Sequence, residues 1–485
     1  MKIGFDNQKY LTIQSEHIKE RIAQFGGKLY LEFGGKLFDD FHASRVLPGF
    51  EPDSKLKMLL QLKDQAEVVM AISATDIESE KIRGDYGITY KEDILRLKRE
   101  FERLGLYVSS VVITRFAGQQ SAKRYKERLE NMGIPVYFLY NIEGYPANID
   151  LTVSDEGYGR NDYIKTTRPL VVVTAPGPGS GKLAVCLSQV YNENKRGVKA
   201  GYAKFETFPV WNMPLQHPVN LAYEAATADL DDINMIDPFH MDAYGKTTVN
   251  YNRDIEAFPV LNTIFTHIYG ESPYKSPTDM GVNMVGHCIS DDAACRHASN
   301  MEIIRRFYSS LNKAAADESA KHEVVKIDSI MKKAGIVLTD RPVVKAAEEY
   351  TKQFEIPSAA IELDDGTVVT GKTSKLLDAP SYCLLRALKY LAGLSDQLDI
   401  MLPEVVQPMI DLQRENLNIR NPKLSTNEVL IALAISASTN EDCKKALEQL
   451  PKLRSCDLHS TVKLDANDTK ALKKLGLLTT CNPTT

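Results

Sequence analysis

The chain has 485 residues, of which 43% are hydrophobic and 25% charged, and its formal net charge is -5. This is the composition of a globular protein large enough to bury a substantial core, without the basic footprint of a dedicated nucleic-acid binder. No apolar run approaches the roughly 20 residues that span a bilayer, and the opening MKIGFDNQKYLTIQSEH has no apolar stretch of the secretion-signal kind. The seven cysteines (186, 288, 295, 383, 443, 456 and 481) follow no pairing pattern. They read as reduced thiols, so a cytoplasmic location without membrane contact is expected.

In chain order, EVVMAISA (67–74) reads as a buried strand and KEDILRLKREFERLG (91–105) as a helix closing at Gly105. YVSSVVITRF (107–116) is strand-like, QSAKRYKERLENMG (120–133) helical and IPVYFLYNI (134–142) a strand again. Strands separated by helices of this length imply right-handed crossovers and a mostly parallel sheet. After the polar stretch 154–169 come a strand at 170–175, a glycine loop, a helix of about three turns and the strand VKAGYAKF (198–205). Residues 209–290 are rich in Pro, Asn, Asp and Tyr and read as long loops around a site. Residues 301–335 read as one continuous helix. SAAIELDDGTVVTG (358–371) reads as a hairpin turning at Asp365–Gly366, and helical patterns follow at 381–392, 403–417, 427–437 and 441–449. The expected fold is α/β: a doubly wound, mostly parallel sheet with a P-loop-like strand–loop–helix in residues 1–300. A helical connector (301–350) and a smaller C-terminal α/β subdomain (351–485) would follow.

The stretch VVVTAPGPGSGKLAVC (171–186) carries the sharpest chemical signal. A mononucleotide loop reads G-x-x-x-x-G-K-[ST], with backbone N–H groups and a helix start around phosphate oxygens and the hydroxyl on magnesium. Here Pro176 replaces the first glycine and Leu183 the hydroxyl residue. Gly177, Gly179 and Gly181 still permit close backbone approach, Ser180 lies within the loop, and Lys182 supplies positive charge. The reading is a site for ATP or another phosphate-containing ligand, with a glycine-rich turn as the alternative. A magnesium ion would need its protein ligand elsewhere. The chain also holds a literal match, GTVVTGKT (366–373), but its Thr-Val-Val-Thr centre suits a hairpin arm better than a phosphate cradle.

Lys204 and Glu206 stand at the carboxyl end of a predicted strand, where open α/β sheets bind ligands, although a surface ion pair would look the same. Asp229, Asp231, Asp232, Asp237, His240, Arg253 and Asp254 concentrate in 228–261. These residue types perform acid–base steps, clamp phosphate or bind a divalent ion. The candidate catalytic residues are Lys204, Asp237, His240, Arg253 and Asp254. His287, Cys288, Cys295 and His297 do not have the spacing of a zinc site, and nothing identifies a base for Cys288 as a nucleophile; Asp279 and Asn283 read as polar loop contacts. Lys36, Asp39, Asp40, His42 and Arg45 gather around glycines, as either a helix start or a ligand-facing loop.

The strings LYLEFGGKLFDDFHASRVLPGF, TRPLVVVTAPGPGSGKLAVCLSQ, HPVNLAYEAATADL and SPTDMGVN together resemble a bacterial family described as domain of unknown function eighteen forty-six, over essentially the whole chain. The resemblance implies a cytoplasmic bacterial protein with an α/β body. It also implies a C-terminal subdomain similar in outline to the cytidine-deaminase type of α/β layer, and no established reaction. The H-x-E and P-C-x-x-C motifs of zinc deaminases do not occur after residue 350.

Taken together, these features lead to the expectation of an enzyme acting on a nucleotide or phosphorylated metabolite, by phosphoryl transfer or ligation. A nucleotide-binding sensor and a metal-independent sugar-phosphate isomerase or lyase remain as alternatives. The expected partner is a phosphorylated small molecule rather than nucleic acid, and the long loops make a homo-oligomer plausible.

Overall fold

A computed structural model describes residues 2–34, 37–38, 40–84 and 86–483. Lys36 and Asp39 lie outside the described residues. The chain packs as two units, one of Lys2–Glu224 with Asp231–Ser299 and the other of Ala225–Leu230 with Asn300–Thr485.

Besides a two-stranded ribbon of Ile82–Arg83 with Ile88–Thr89, the described residues of the first unit hold nine strands: β1 (Leu29–Phe33), β2 (Ala66–Ser73), β3 (Tyr107–Phe116), β4 (Val136–Tyr140), β5 (Leu170–Thr174), β6 (Gly201–Phe205), β7 (Asn234–Ile236), β8 (Val249–Tyr251) and β9 (Gly281–Val282). Seven of them form one sheet in the order β9-β6-β1-β5-β2-β3-β4, every pairing parallel. β2 and β5 are buried along their whole length. That is why AEVVMAIS and LVVVT read as continuous apolar runs rather than alternating ones: helices cover both faces of a parallel sheet. β7 and β8 pair separately and antiparallel.

The helices of this unit include α1 (Asn7–Gln24), α2 (Tyr90–Arg103), α3 (Gln120–Asn131), α4 (Lys182–Lys195) and α5 (Asn252–Tyr269). α2 shows why the local sequence suffices. Thr89 and Glu92 form a reciprocal capping box, and Tyr90, Ile94, Leu97 and Phe101 make the buried stripe. α4 is a turn longer than expected, and β6 starts at Gly201 rather than at 198.

Two readings are corrected. Residues 209–290 are largely ordered into helices and short strands, not long loops; α5 alone runs for 18 residues. Its apolar period survives at Ile255, Phe258, Leu261, Phe265 and Ile268, but Pro259 interrupts the pattern. Proline removes one ladder donor, yet in α5 the buried face holds the helix together. The expected single helix over 301–335 is two: α6 (Asp292–Ala316) and α7 (Lys321–Ala334), parted by a short 3-10 turn. Asp317 accepts a hydrogen bond from the Ser319 N–H at 2.9 Å, a local bond that competes with helix continuation.

In the second unit, β10 (Ser358–Glu362), β11 (Val368–Lys372), β12 (Asp457–Ser460) and β13 (Leu478–Cys481) form a mixed sheet in the order β11-β10-β12-β13. The first two pairings are antiparallel and the last is parallel. β10 buries both faces. Ala359 and Ile361 pack with Cys383, Leu384 and Leu388 of α9 (Ala379–Leu391), while Ala360 packs with Val343 and Ala347 of α8 (Pro342–Phe354). The literal GTVVTGKT match lies in the β10–β11 hairpin, with Gly366 at φ +83° in the turn. A Cβ on Gly371 would stand 2.5 Å from the Cys383 nitrogen, so that glycine lets strand and helix meet. The segment is a strand arm, as its residue types indicated.

Candidate functional site

After β1 the chain passes to β2, and after the adjacent β5 it passes to β6 on the opposite side. Neighbouring strands whose connections leave in opposite directions open a crevice at their carboxyl ends, and this is where doubly wound sheets bind ligands. The glycine loop leaves β5 at this point.

The loop is held from within and from below. The Ser180 hydroxyl donates to the Gly177 carbonyl at 3.0 Å, and Thr114 of β3 donates to the Ser180 carbonyl at 2.8 Å. Ser180 is fully buried, so its hydroxyl shapes the loop rather than facing the crevice. Gly181 caps α4 at φ +82° and offers no side-chain cap. The first rung of the helix ladder is the Val185 N–H to the Gly181 carbonyl, 3.0 Å, so the N–H groups of residues 182–184 precede the ladder. A Cβ on Gly177 would fall 2.1 Å from the Tyr90 hydroxyl oxygen, whereas Gly179, at φ +75°, meets nothing within 4 Å. A cavity of about 530 Å³ opens at the loop, with Thr174, Pro176, Gly177 and Lys182 in its lining. Among the described residues no carboxylate pairs with the Lys182 ammonium.

A second constellation sits at the carboxyl end of β6. The Lys204 ammonium lies 2.9 Å from Glu206 Oε1 and donates to Asp254 Oδ2 and to the Tyr251 hydroxyl. Glu206 is 6% exposed, while the Lys204 and Asp254 side chains keep 18% and 20% exposure, so solvent reaches the cluster from their side. Burial alone would lower the Lys204 pKa, but Asp254 and Glu206 more than offset it and hold the ammonium charged. Burial pushes the Glu206 carboxyl up, Lys204 pulls it down, Asp254 pushes it up again, and the result is about 7. Glu32 of β1 stands in register with Lys204 on one side and Val173 of β5 on the other, and accepts a hydrogen bond from Tyr202 at 2.8 Å. Its charge acts on Lys204 and also on Cys186 in the first turns of α4, beside Lys182. Glu32 therefore lies between the two constellations.

Sequence reading had marked Lys204, Glu206 and Asp254, which the fold brings together from β6 and α5. It had missed Glu32, Tyr251 and the cavity wall of Tyr90, Leu97 and Phe38. A glutamate inside the apolar string LYLEF was the one available signal for Glu32. Arg253, next to Asp254, turns to Asp232 (Nη2 to Oδ2, 2.9 Å). Asp237 is fully buried: it caps the helix Pro238–Tyr244 through the His240 N–H (3.0 Å) and accepts from the Thr278 hydroxyl (2.7 Å). His240 Nδ1 meets the Ser276 hydroxyl at 2.9 Å, and Asp279 accepts from Tyr244 at 2.7 Å. The contacts of Asp237 and His240 thus belong to a capping network before β9, not to the Lys204 cluster. Asn283 donates to the carbonyls of Thr207 and Pro209, fixing the segment that follows Glu206.

Asp229 and Asp231 are exposed. Asp40 caps the helix Phe41–Val46 and pairs with Lys55 at 2.7 Å, the His42 ring stands 5.2 Å from that of Phe208, and Arg45 lies in the same helix. Cys288 and Cys295 are buried, and burial pushes their thiols up to about 11 and about 12. His287 and His297 are exposed. Among the described residues no three His, Cys, Asp or Glu side chains form a metal-holding group, and no helix is long and apolar enough to cross a membrane.

Known proteins similar to the chain share its whole length. Residues 3–335 match the family model described as Domain of unknown function DUF1846, N-terminal, and residues 339–485 match the C-terminal model of the same family. A UPF0371 protein of Corynebacterium diphtheriae is 55% identical over 482 residues, covering 99% of this chain and 97% of that protein. A UPF0371 protein of Streptococcus thermophilus is 54% identical over the same length, covering 98% of its own chain. At that identity and coverage, with both modules matched in order, the chain belongs to the bacterial UPF0371 family, built from the DUF1846 N- and C-terminal domains.

Proposed function

We propose that this protein is an enzyme that holds a phosphorylated small molecule at the Gly177–Lys182 loop and moves protons at the Lys204–Glu206–Asp254 cluster. The observation that carries the reading is the cavity over a glycine loop, with an unpaired lysine and a helix start, at the sheet's switch point. Early N–H groups of a helix and its dipole favour an anion, and Lys182 adds a full positive charge. Gly179, where an added Cβ would meet nothing within 4 Å, keeps that side of the loop free of side chains.

The second cluster supports an enzyme over a sensor. Titratable groups with strongly perturbed pKa values gather at catalytic sites. A carboxyl near 7 beside a held ammonium is suited to give and take a proton at neutral pH, with Lys204 stabilising the negative charge that develops. Leu183 offers no hydroxyl to a magnesium ion, so a metal-bound nucleotide would bring its metal on the phosphates or reach a carboxylate such as Glu32.

Thermal-shift titrations of the parent and of Lys182→Ala against phosphate, pyrophosphate, nucleotides and sugar phosphates, each with and without magnesium, test the reading. Ligand binding to the native state raises the melting temperature by mass action. A saturable shift in the parent, with affinity at least about tenfold weaker in the variant, is expected. No shift in the parent, or equal shifts in both proteins, overturns the phosphate site. Glu206→Gln is expected to keep binding while losing turnover; altered affinity with no turnover in the parent would favour the sensor.

A further inference from the structure

The lining of the cavity combines two chemistries. Lys182, Thr174 and the loop backbone supply its polar part. Leu37, Phe38, Ile82, Tyr90 and Leu97 supply its apolar part, and Arg83 also lines it. Among the described residues lining it, no side chain bears a carboxylate. Sugar hydroxyls are recognised by acceptors such as carboxylates and amides, and the apolar side chains described in this lining supply none. A flat, weakly polar ring would fill it.

We propose, resting on the phosphate reading above, that the ligand is a nucleoside phosphate whose base lies against the apolar side chains of the cavity. Part of the apolar wall is anchored on α2. Tyr90 and Leu97 stand on the buried stripe of α2, which the capping box at Thr89 and Glu92 fixes at its start. Phe38 packs on Phe101 of the same helix, ring centroids 5.4 Å apart. Tyr90 also touches the loop itself, since its hydroxyl occupies the space a Gly177 side chain would need. One helix therefore positions the base wall and the phosphate loop relative to each other. Arg83 is held by Asp93 of α2 at 2.7 Å, and the guanidinium groups of Arg83 and Arg96 both stand over the Tyr86 ring, 5.0 and 4.4 Å from its centre. The outer wall is thus braced on α2 as well. A cavity of about 530 Å³ is within the roughly 300–1,000 Å³ range of small-molecule sites.

The test is calorimetric titration of the full chain with pyrophosphate, ribose phosphate, and the diphosphates of adenosine, guanosine, cytidine and uridine. The parent is compared with Lys182→Ala and with the double variant Phe38→Ala, Ile82→Ser. Ile82 is 63% exposed and Phe38 is half-buried, so the double variant leaves the core intact; circular dichroism checks its fold. At least one nucleoside diphosphate should bind about tenfold or more tighter than pyrophosphate and ribose phosphate, with that advantage lost in the double variant while pyrophosphate affinity holds. Ribose phosphate or pyrophosphate binding as tightly as every nucleotide overturns the base site and leaves the phosphate reading standing. Binding of none of these compounds overturns both.

Discussion

Glu206 is the residue on which pH acts most directly. Its carboxyl rises from 4.5 to about 7, first through burial, against the pull of Lys204. The folded state therefore holds this proton more tightly than the unfolded chain does. The stability it contributes is complete below about pH 4.5 and is lost as pH rises through about 7. Glu206→Gln, which cannot ionise, should lose that slope, and above pH 7 it should melt at a higher temperature than the parent. Urea midpoints across the pH range would check this, and a parent-like slope in the variant would show that another group titrates. If the cluster transfers protons as proposed, the same substitution lowers kcat with little change in ligand affinity.

At the scale of elements, two junctions decide whether helices sit where the sheets need them. Gly181 joins β5 to α4 at φ +82°, and a Cβ there would lie 2.9–3.1 Å from the Thr114 side chain. Gly181→Ala meets both left-handed strain and a close contact, and should cost about 1–3 kcal/mol, read as a lower urea midpoint. At the other junction, Arg341 is fully buried just before α8. It donates to Asp457 at 2.8 Å and to the Leu478 carbonyl at 2.7 Å, tying the helix start to β12 and β13. Arg305 shares Asp457 at 3.0 Å. Arg341→Ala removes one member of a buried charge network and should destabilise by about 3–5 kcal/mol. Arg341→Lys should recover only part of this, because an ammonium cannot reproduce the guanidinium fork; full recovery would contradict the network.

On the scale of the whole molecule, each unit has its own sheet and its own buried side chains, so each is expected to unfold as a cooperative body. Calorimetry should resolve two transitions. Pyrophosphate should raise only the transition of the seven-stranded unit. The other unit carries a carboxyl pair in which Asp378 caps α9 and Asp468 caps the Thr426 N–H at 2.8 Å. Burial and then Asp468 raise the Asp378 pKa to about 6, so the pair stabilises the fold on the acid side and that contribution is lost as pH rises through about 6. Asp468→Asn should raise that unit's transition above pH 6 and leave the other unmoved. A single transition shifted by both changes would refute the separation.

Local pattern alone determined β2, β3, α2, α3 and the β10–β11 hairpin, because continuous apolar runs, a helical stripe with a capping box and an Asp-Gly turn each act within a dozen residues. It also placed the glycine loop between a strand and a helix, and the literal match at 366–373 in a hairpin arm. The helical content of 209–290 was hidden because α5 is held by tertiary burial across a proline, and burial is not a local property. Only the tertiary structure decided which strands are neighbours. β5 inserts between β1 and β2, and this strand order alone creates the crevice and sets Glu32 between the loop and Lys204. The same reason separates Asp254 from Asp237. Both are aspartates in a polar stretch, but one begins a helix packed beside β6 and meets a lysine, while the other spends its oxygens on caps. Residue type gave the chemistry each could perform, and long-range pairing decided which of them stand together.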